Sequence, residues 1–142
     1  MKKLFFVICL SLAISGCATL TMSTKEKIQV LTDDQIYSRY TSSLCGGYGG
    51  RSMVSEKEKT LLRQEIIRRH PEWPEDIKRV VLEGNIQIGM TKEQLLASWG
   101  DPDNINRSVG SWGVHEQWIY AASYYKQIYV YVENGILTSW QN

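Results

Sequence analysis

The side chains that could carry nucleophilic chemistry are few, because the chain has three cysteines and two histidines. Cys45 could form a thiol–imidazole pair with His70 or His115, in which the histidine takes the thiol proton. Nothing in their spacing supports such a pair, and a zinc site would need more His and Cys residues than remain after the N-terminal segment. The carboxylates cluster at predicted helix starts, where capping explains them. We therefore predict that the protein is not an enzyme and has no catalytic residues, metal site or diffusible cofactor.

Two short segments fail as ligand-binding loops. The run CGGYGGRS has Arg51 where a phosphate-binding loop needs Lys, and Cys45 where it needs its first Gly. The segment DPDNIN opens like a calcium loop, but Ile105 takes the third ligand position and Asn106 the place of the required Gly. We interpret both segments as ordinary loops or strand starts.

The first sixteen residues have the pattern of a secretory signal peptide. Lys2 and Lys3 form a basic start, and an apolar run from Leu4 to Ile14 follows. A spanning helix needs about 20 apolar residues, so this run is too short for the transmembrane alternative. Without these sixteen residues the chain has 14 basic and 15 acidic side chains. That balance gives no electrostatic footprint for nucleic acid.

The end of the apolar run, Ile14-Ser15-Gly16-Cys17, resembles the lipobox of bacterial lipoproteins, with Ile in place of the usual Leu. The resemblance implies cleavage between Gly16 and Cys17, a thioether-linked lipid on the Cys17 sulfur and acylation of its new amino group. Several acyl chains on one residue give stable anchoring. In lipoproteins of the enteric type, Asp after the lipidated cysteine retains the protein at the inner membrane. Because this sequence has Ala18 there, the resemblance implies a location at the outer membrane, facing the periplasm. The alternative is that Cys17 is a buried or disulfide-bonded cysteine.

Cys45 is then the one unmodified cysteine of the mature chain, because Cys9 leaves with the signal peptide and Cys17 is alkylated. In an oxidising compartment it has no intrachain partner. It is either buried and inert or available for an intermolecular bond.

Beyond the anchor, the sequence predicts an α+β fold. Residues 17–31 carry no consistent apolar stripe and are predicted to be a lipidated tether. Residues 32–79 are predicted to be a helical extension, with capping boxes that begin at Thr32 and Ser55. A further capping box at Thr91 begins a helix, and from Asp103 the apolar period changes from 3.6 to 2. Residues 80–142 therefore predict a helix followed by a three- to four-stranded antiparallel meander, whose last hairpin turns at Asn134-Gly135.

The same C-terminal part resembles the SmpA/OmlA (BamE-like) lipoprotein domain. The matching motifs are Gly89-Met90-Thr91 at a helix start, Gly100-Asp101-Pro102 at its end, the aromatic pair Trp118 and Tyr120, and the turn Asn134-Gly135. The resemblance implies helices on one face of an antiparallel sheet, as in β-lactamase-inhibitor-protein repeats. The best-known member of this family is a small accessory of the machine that inserts outer-membrane β-barrels, and the resemblance implies the domain rather than membership of that machine. Residues 32–79 contribute helices that the smallest member of this family lacks. The segment through which that member contacts its partner has no residue-by-residue match in this sequence.

Four aromatic side chains form the predicted interaction surface. Trp118 and Tyr120 share one face of their strand, and Tyr129 and Tyr131 share one face of the next. A sheet with helices on one side leaves its other face open for a partner. The first function we predict is binding of an envelope protein, in outer-membrane protein assembly or envelope integrity. The alternative is an inhibitor or small-ligand-binding lipoprotein, which a large concave aromatic pocket would favour.

Overall fold

The computed structural model describes residues 22–44, 54–123 and 126–141. The predicted lipid attachment at Cys17 and the cysteine predicted to remain unmodified, Cys45, lie outside these residues. In the described part, five helices precede a four-stranded antiparallel sheet, which confirms the α+β class. The elements are α1 (Thr24–Gln29), α2 (Asp33–Leu44), α3 (Glu56–Arg69), α4 (Glu75–Leu82), α5 (Lys92–Trp99), β1 (Asn104–Gly110), β2 (Gly113–Ser123), β3 (Lys126–Glu133) and β4 (Ile136–Gln141).

Capping explains where the predicted helices begin. The Thr32 hydroxyl accepts from the backbone N–H of Gln35, whose side chain accepts from the N–H of Thr32 in return. Thr91 and Gln94 make the same reciprocal pair at the start of α5. Each pair satisfies two backbone donors that a helix start otherwise leaves exposed. Ser55 caps α3 through the N–H of Glu58.

Helix α1 is a departure from the predicted tether. Ser23 and Glu26 form a capping box, and Ile28 is buried in the core. The expectation of a tether over residues 17–31 is therefore wrong for 24–29. The prediction fails because this six-residue helix packs on α3 through a single buried side chain. An apolar stripe cannot show in so short a segment.

The sheet has the strand order β1-β2-β3-β4. The β3–β4 hairpin turns at Asn134 and Gly135, which have φ angles of 51° and 88°. Two positive φ angles are the requirement of a type I′ turn, as this dipeptide predicts. The helices cover one face of the sheet, where Trp118, Val130 and Val132 are buried against the helix layer.

The helix layer is held by α5, which packs against α2, α4 and β4. Met90, which lies just before α5, and Leu95 within α5 are fully buried in the common core. Tyr40 of α2 is also fully buried, and its hydroxyl donates to the carbonyl of Leu82. No helix in the described residues is long and apolar enough to cross a membrane.

Candidate functional site

The four predicted aromatic residues do not form one surface. Trp118 is only 2% exposed, and its register partner on β3 is the core residue Val130. Tyr120 lies on the same helix-covered face and donates its hydroxyl hydrogen to the carbonyl oxygen of Gly100. Tyr129 and Tyr131 alternate with the core residues of β3 and so lie on the opposite face. Trp118 and Tyr120 therefore belong to the packing of the sheet on the helices.

The open face of the sheet carries a polar ladder across its four strands. The Asn106 amide donates to Gln117 at 3.0 Å, and the Gln117 amide donates to the Tyr131 hydroxyl at 3.2 Å. The Gln141 amide donates to the same hydroxyl at 2.8 Å. Cross-strand pairs of this kind stabilise a sheet. The Tyr131 hydroxyl thus already accepts two hydrogen bonds from within the sheet.

A depression of about 350 Å³ lies beside this ladder. Its lining includes Ser108, His115 and Glu133, and among the described residues Tyr131 is its one tyrosine or tryptophan. His115 lies on this open face, with its Nδ1 3.9 Å from a Glu133 oxygen. A binding site for a small apolar molecule is usually lined by several apolar and aromatic side chains. The depression therefore lacks the character that the ligand-binding alternative requires.

The two outer strands of the sheet differ in how they are protected. The start of β4 is covered by the segment before α5, which pairs with it as an isolated bridge between Thr91 and Ile136. The N–H of Gly89 donates to the carbonyl of Leu137 at 2.9 Å, and the N–H of Leu137 donates to the carbonyl of Met90 at 2.8 Å. Covering an edge in this way blocks pairing with another chain.

Strand β1 has no such cover in the described part of the chain, where it pairs with β2 alone. Six of its seven residues are exposed. Ile105 is 44% exposed and Val109 60% exposed, and Trp112, in the turn after the strand, is 65% exposed. The Trp112 ring lies over Gly110, where a Cβ atom would come within 2.5 Å of a ring carbon. We call residues 104–110 together with Trp112 the β1 edge.

An ionic cluster around the buried Glu116 fixes the middle of the β1 edge. Arg107 Nε lies 3.2 Å from an oxygen of Glu116, a carboxylate that is itself buried. Burial would raise the pKa of Glu116, but hydrogen bonds from Lys92 and Trp118 outweigh it and hold the pKa below its usual value. The ionised Glu116 positions Arg107, whose guanidinium carries five donors and remains more than half exposed. The edge therefore presents a positive charge between two apolar side chains.

His70 lies where the sequence predicts it, at the end of α3. It is buried, and its ring stacks on Trp73 with 4.0 Å between the ring centroids. The sequence does not reveal the β1 edge. Ile105, Arg107 and Val109 alternate with Asn106 and Ser108, and such alternation is typical of any half-buried strand. These side chains are exposed because β1 is an edge strand of the sheet.

Comparison with known proteins identifies no relative of this chain. No family model matches the chain, and neither a curated protein nor a solved structure matches it. The resemblance to the SmpA/OmlA domain therefore remains a prediction that rests on the motifs themselves.

Proposed function

We propose that this protein is a non-enzymatic lipoprotein, anchored in the outer membrane through Cys17, whose periplasmic domain binds another envelope protein at the β1 edge. The observation that carries the proposal is an outer strand that no other described segment covers, with Ile105, Val109 and Trp112 exposed along it. Exposed apolar side chains beside free strand backbone are what native proteins avoid unless a partner uses them.

The mode of binding that this edge supports is strand addition. An extended segment of the partner would pair with the backbone of β1, which gives affinity. Its alternate side chains would meet Ile105 and Val109 on one face and Trp112 on the other, which gives specificity. Arg107 would then attract an acidic residue of the partner near the middle of the segment.

The resemblance to the SmpA/OmlA domain directs the search for this partner. It favours proteins of outer-membrane protein assembly or envelope integrity, and the lipobox favours the same compartment. The depression on the open face gives no support to the inhibitor or small-ligand alternative, because most of the residues that line it are polar or charged.

The test compares crosslinked complexes of the native lipoprotein with those of two charge variants. Val109→Lys places a charge on the β1 edge, where lysine suppresses strand pairing. Ile88→Lys is the matched control, because Ile88 is also β-branched and is 59% exposed against 60% for Val109. Both substitutions are at exposed sites and should change the unfolding free energy by less than about 0.5 kcal/mol.

We expect one envelope protein to be crosslinked in stoichiometric amounts to the native chain and to Ile88→Lys. Its recovery should fall at least tenfold with Val109→Lys. Recovery of lipid without any envelope protein, or equal recovery from both variants, would contradict the proposal.

The anchor is tested separately by Cys17→Ser. The proposal expects this variant to stay unprocessed and to lack the covalent lipid, which mass spectrometry of the purified chain measures directly. A shortened product that still fractionates with the outer membrane would rule out the lipoprotein interpretation while leaving the β1 edge untested by that experiment.

A further inference from the structure

The ends of three helices meet at one point on the helix layer. Asp33 is the first residue of α2, His70 caps the end of α3, and Glu93 lies in the first turn of α5. One ligand atom from each of these side chains lies within 4.8 Å of the other two. We propose that Asp33, His70 and Glu93 bind a zinc ion.

The geometry needs little movement to become a zinc site. Zinc binds imidazole nitrogen and carboxylate oxygen at about 2.0 to 2.2 Å, which places tetrahedral ligand atoms roughly 3.4 Å apart. The exposed side chain of Glu93 can close the remaining distance by rotating about its own bonds. The three protein ligands leave the fourth tetrahedral position for water.

His70 is held as a metal-binding histidine usually is. It is only 6% exposed, with its Nε2 2.6 Å from the Tyr37 hydroxyl and its Nδ1 3.3 Å from a Glu72 oxygen. A carboxylate at the second ring nitrogen fixes the tautomer and orientation of a histidine ligand. Glu72 at Nδ1 therefore leaves Nε2 as the nitrogen for the ion.

The Tyr37 hydroxyl lies at this nitrogen in the structure, with 2.6 Å between its oxygen and Nε2. One carboxylate oxygen of Asp33 and one of Glu93 lie within 4.8 Å of a ring nitrogen of His70 and of each other. When zinc takes the lone pair of that nitrogen, the hydroxyl can donate to a carboxylate oxygen instead, and no proton has to leave the site.

The local charge also favours a divalent cation. Arg69 donates to one oxygen of Asp33, at 2.6 Å, and leaves the other for the ion. Arg69 and Arg68 are also bound by the buried carboxylate of Glu65. Together these two guanidinium groups and the four carboxylates of the cluster carry a net charge of −2, which attracts a cation. The carboxylates are those of Asp33, Glu65, Glu72 and Glu93.

The donor set selects among metal ions. One imidazole and two carboxylates suit zinc, whereas calcium and magnesium prefer oxygen ligands alone. The full chain should therefore bind zinc much more tightly than either of these two ions.

Isothermal titration with zinc chloride tests the site. The full chain is purified in detergent without a histidine tag, and its thiols are alkylated first so that cysteine cannot bind the ion. Glu93→Gln removes one proposed ligand at an exposed position. Glu56→Gln is the matched control, because it removes the same exposed charge from the first turn of α3.

We expect one equivalent of zinc to bind to the native chain and to Glu56→Gln, with an affinity at least tenfold lower for Glu93→Gln. The ring nitrogens of His70 should shift on zinc addition in a nitrogen-detected spectrum. Absence of saturable binding, equal affinity in the two variants, an unshifted His70, or equally tight binding of magnesium would overturn the proposal.

Discussion

Replacing Glu65 by glutamine is expected to destabilise the helix layer in a way that depends on pH. Glu65 is 5% exposed, and one of its oxygens accepts from Arg68 at 2.6 Å and from Arg69 at 2.8 Å. Arg69 also donates to Asp33 of α2 and to the carbonyl of Leu31. Glu65 therefore holds the guanidinium that joins α3 to the start of α2.

The magnitude follows from the pKa of Glu65. Hydrogen bonds from Arg68 and Arg69 outweigh burial and lower this pKa from 4.5 to about 2. Each pKa unit corresponds to about 1.4 kcal/mol, so ionised Glu65 contributes at most about 3 kcal/mol to the unfolding free energy. Arg68 is largely exposed, and solvent screening reduces that figure to about 2 kcal/mol.

The sign of the pH dependence is fixed by the direction of the shift. Because the folded-state pKa is depressed, the contribution is complete above about pH 5 and falls as the pH approaches 2. At pH 3 less than half of it should remain. Urea unfolding of the native chain and of Glu65→Gln at pH 7 and pH 3, followed by tryptophan fluorescence, measures the difference at each pH.

Glu58→Gln is the control, because Glu58 pairs with an exposed Arg39 at 3.3 Å. Exposed pairs contribute little, so this variant should lose less than about 0.5 kcal/mol. An equal loss for Glu65→Gln at both pH values, or a loss no greater than that of the control at pH 7, would refute the reasoning.

Four further substitutions test the packing, each by urea unfolding at pH 7. Trp118→Ala should cost about 3 to 5 kcal/mol, because it removes a buried side chain, whereas Tyr129→Ala on the open face should cost less than about 1 kcal/mol. Equal costs would contradict the assignment of the two faces. Thr91→Ala removes the cap of α5 and should cost about 1 kcal/mol. A cost near zero would show that the cap is not needed. Gly100→Ala should cost about 1 to 3 kcal/mol, because the φ angle is 75° and the new Cβ would lie 2.9 Å from Thr41 Oγ1. A neutral effect there would contradict the backbone geometry.

The local signals in the sequence predict most of the fold. The capping residues Thr32, Ser55 and Thr91 mark helix starts because their hydroxyls bond backbone donors only three residues away. The Asn134-Gly135 turn is similarly local, because it depends on the φ angles of two residues. Helix α1 escapes prediction, since one buried Ile28 gives no period.

The candidate sites depend on contacts between distant parts of the chain, so the sequence does not reveal them. Alternation shows that Trp118 and Tyr120 share a face, but only the packing of α5 decides which face is buried. Likewise, Asp33, His70 and Glu93 lie on three helices and match no metal-binding spacing. Their proximity follows from how α2, α3 and α5 pack together.

The most direct test of the proposed function is a photo-activated amino acid placed in the full lipoprotein in living cells. At the position of Val109 it should give one discrete adduct with an envelope protein, and Arg107→Glu should weaken that adduct at least tenfold through repulsion of the partner's acidic residue. The same amino acid at Ser139, which is exposed on β4, serves as the control position. No adduct at Val109, or the same adduct from both positions, would contradict binding at the β1 edge.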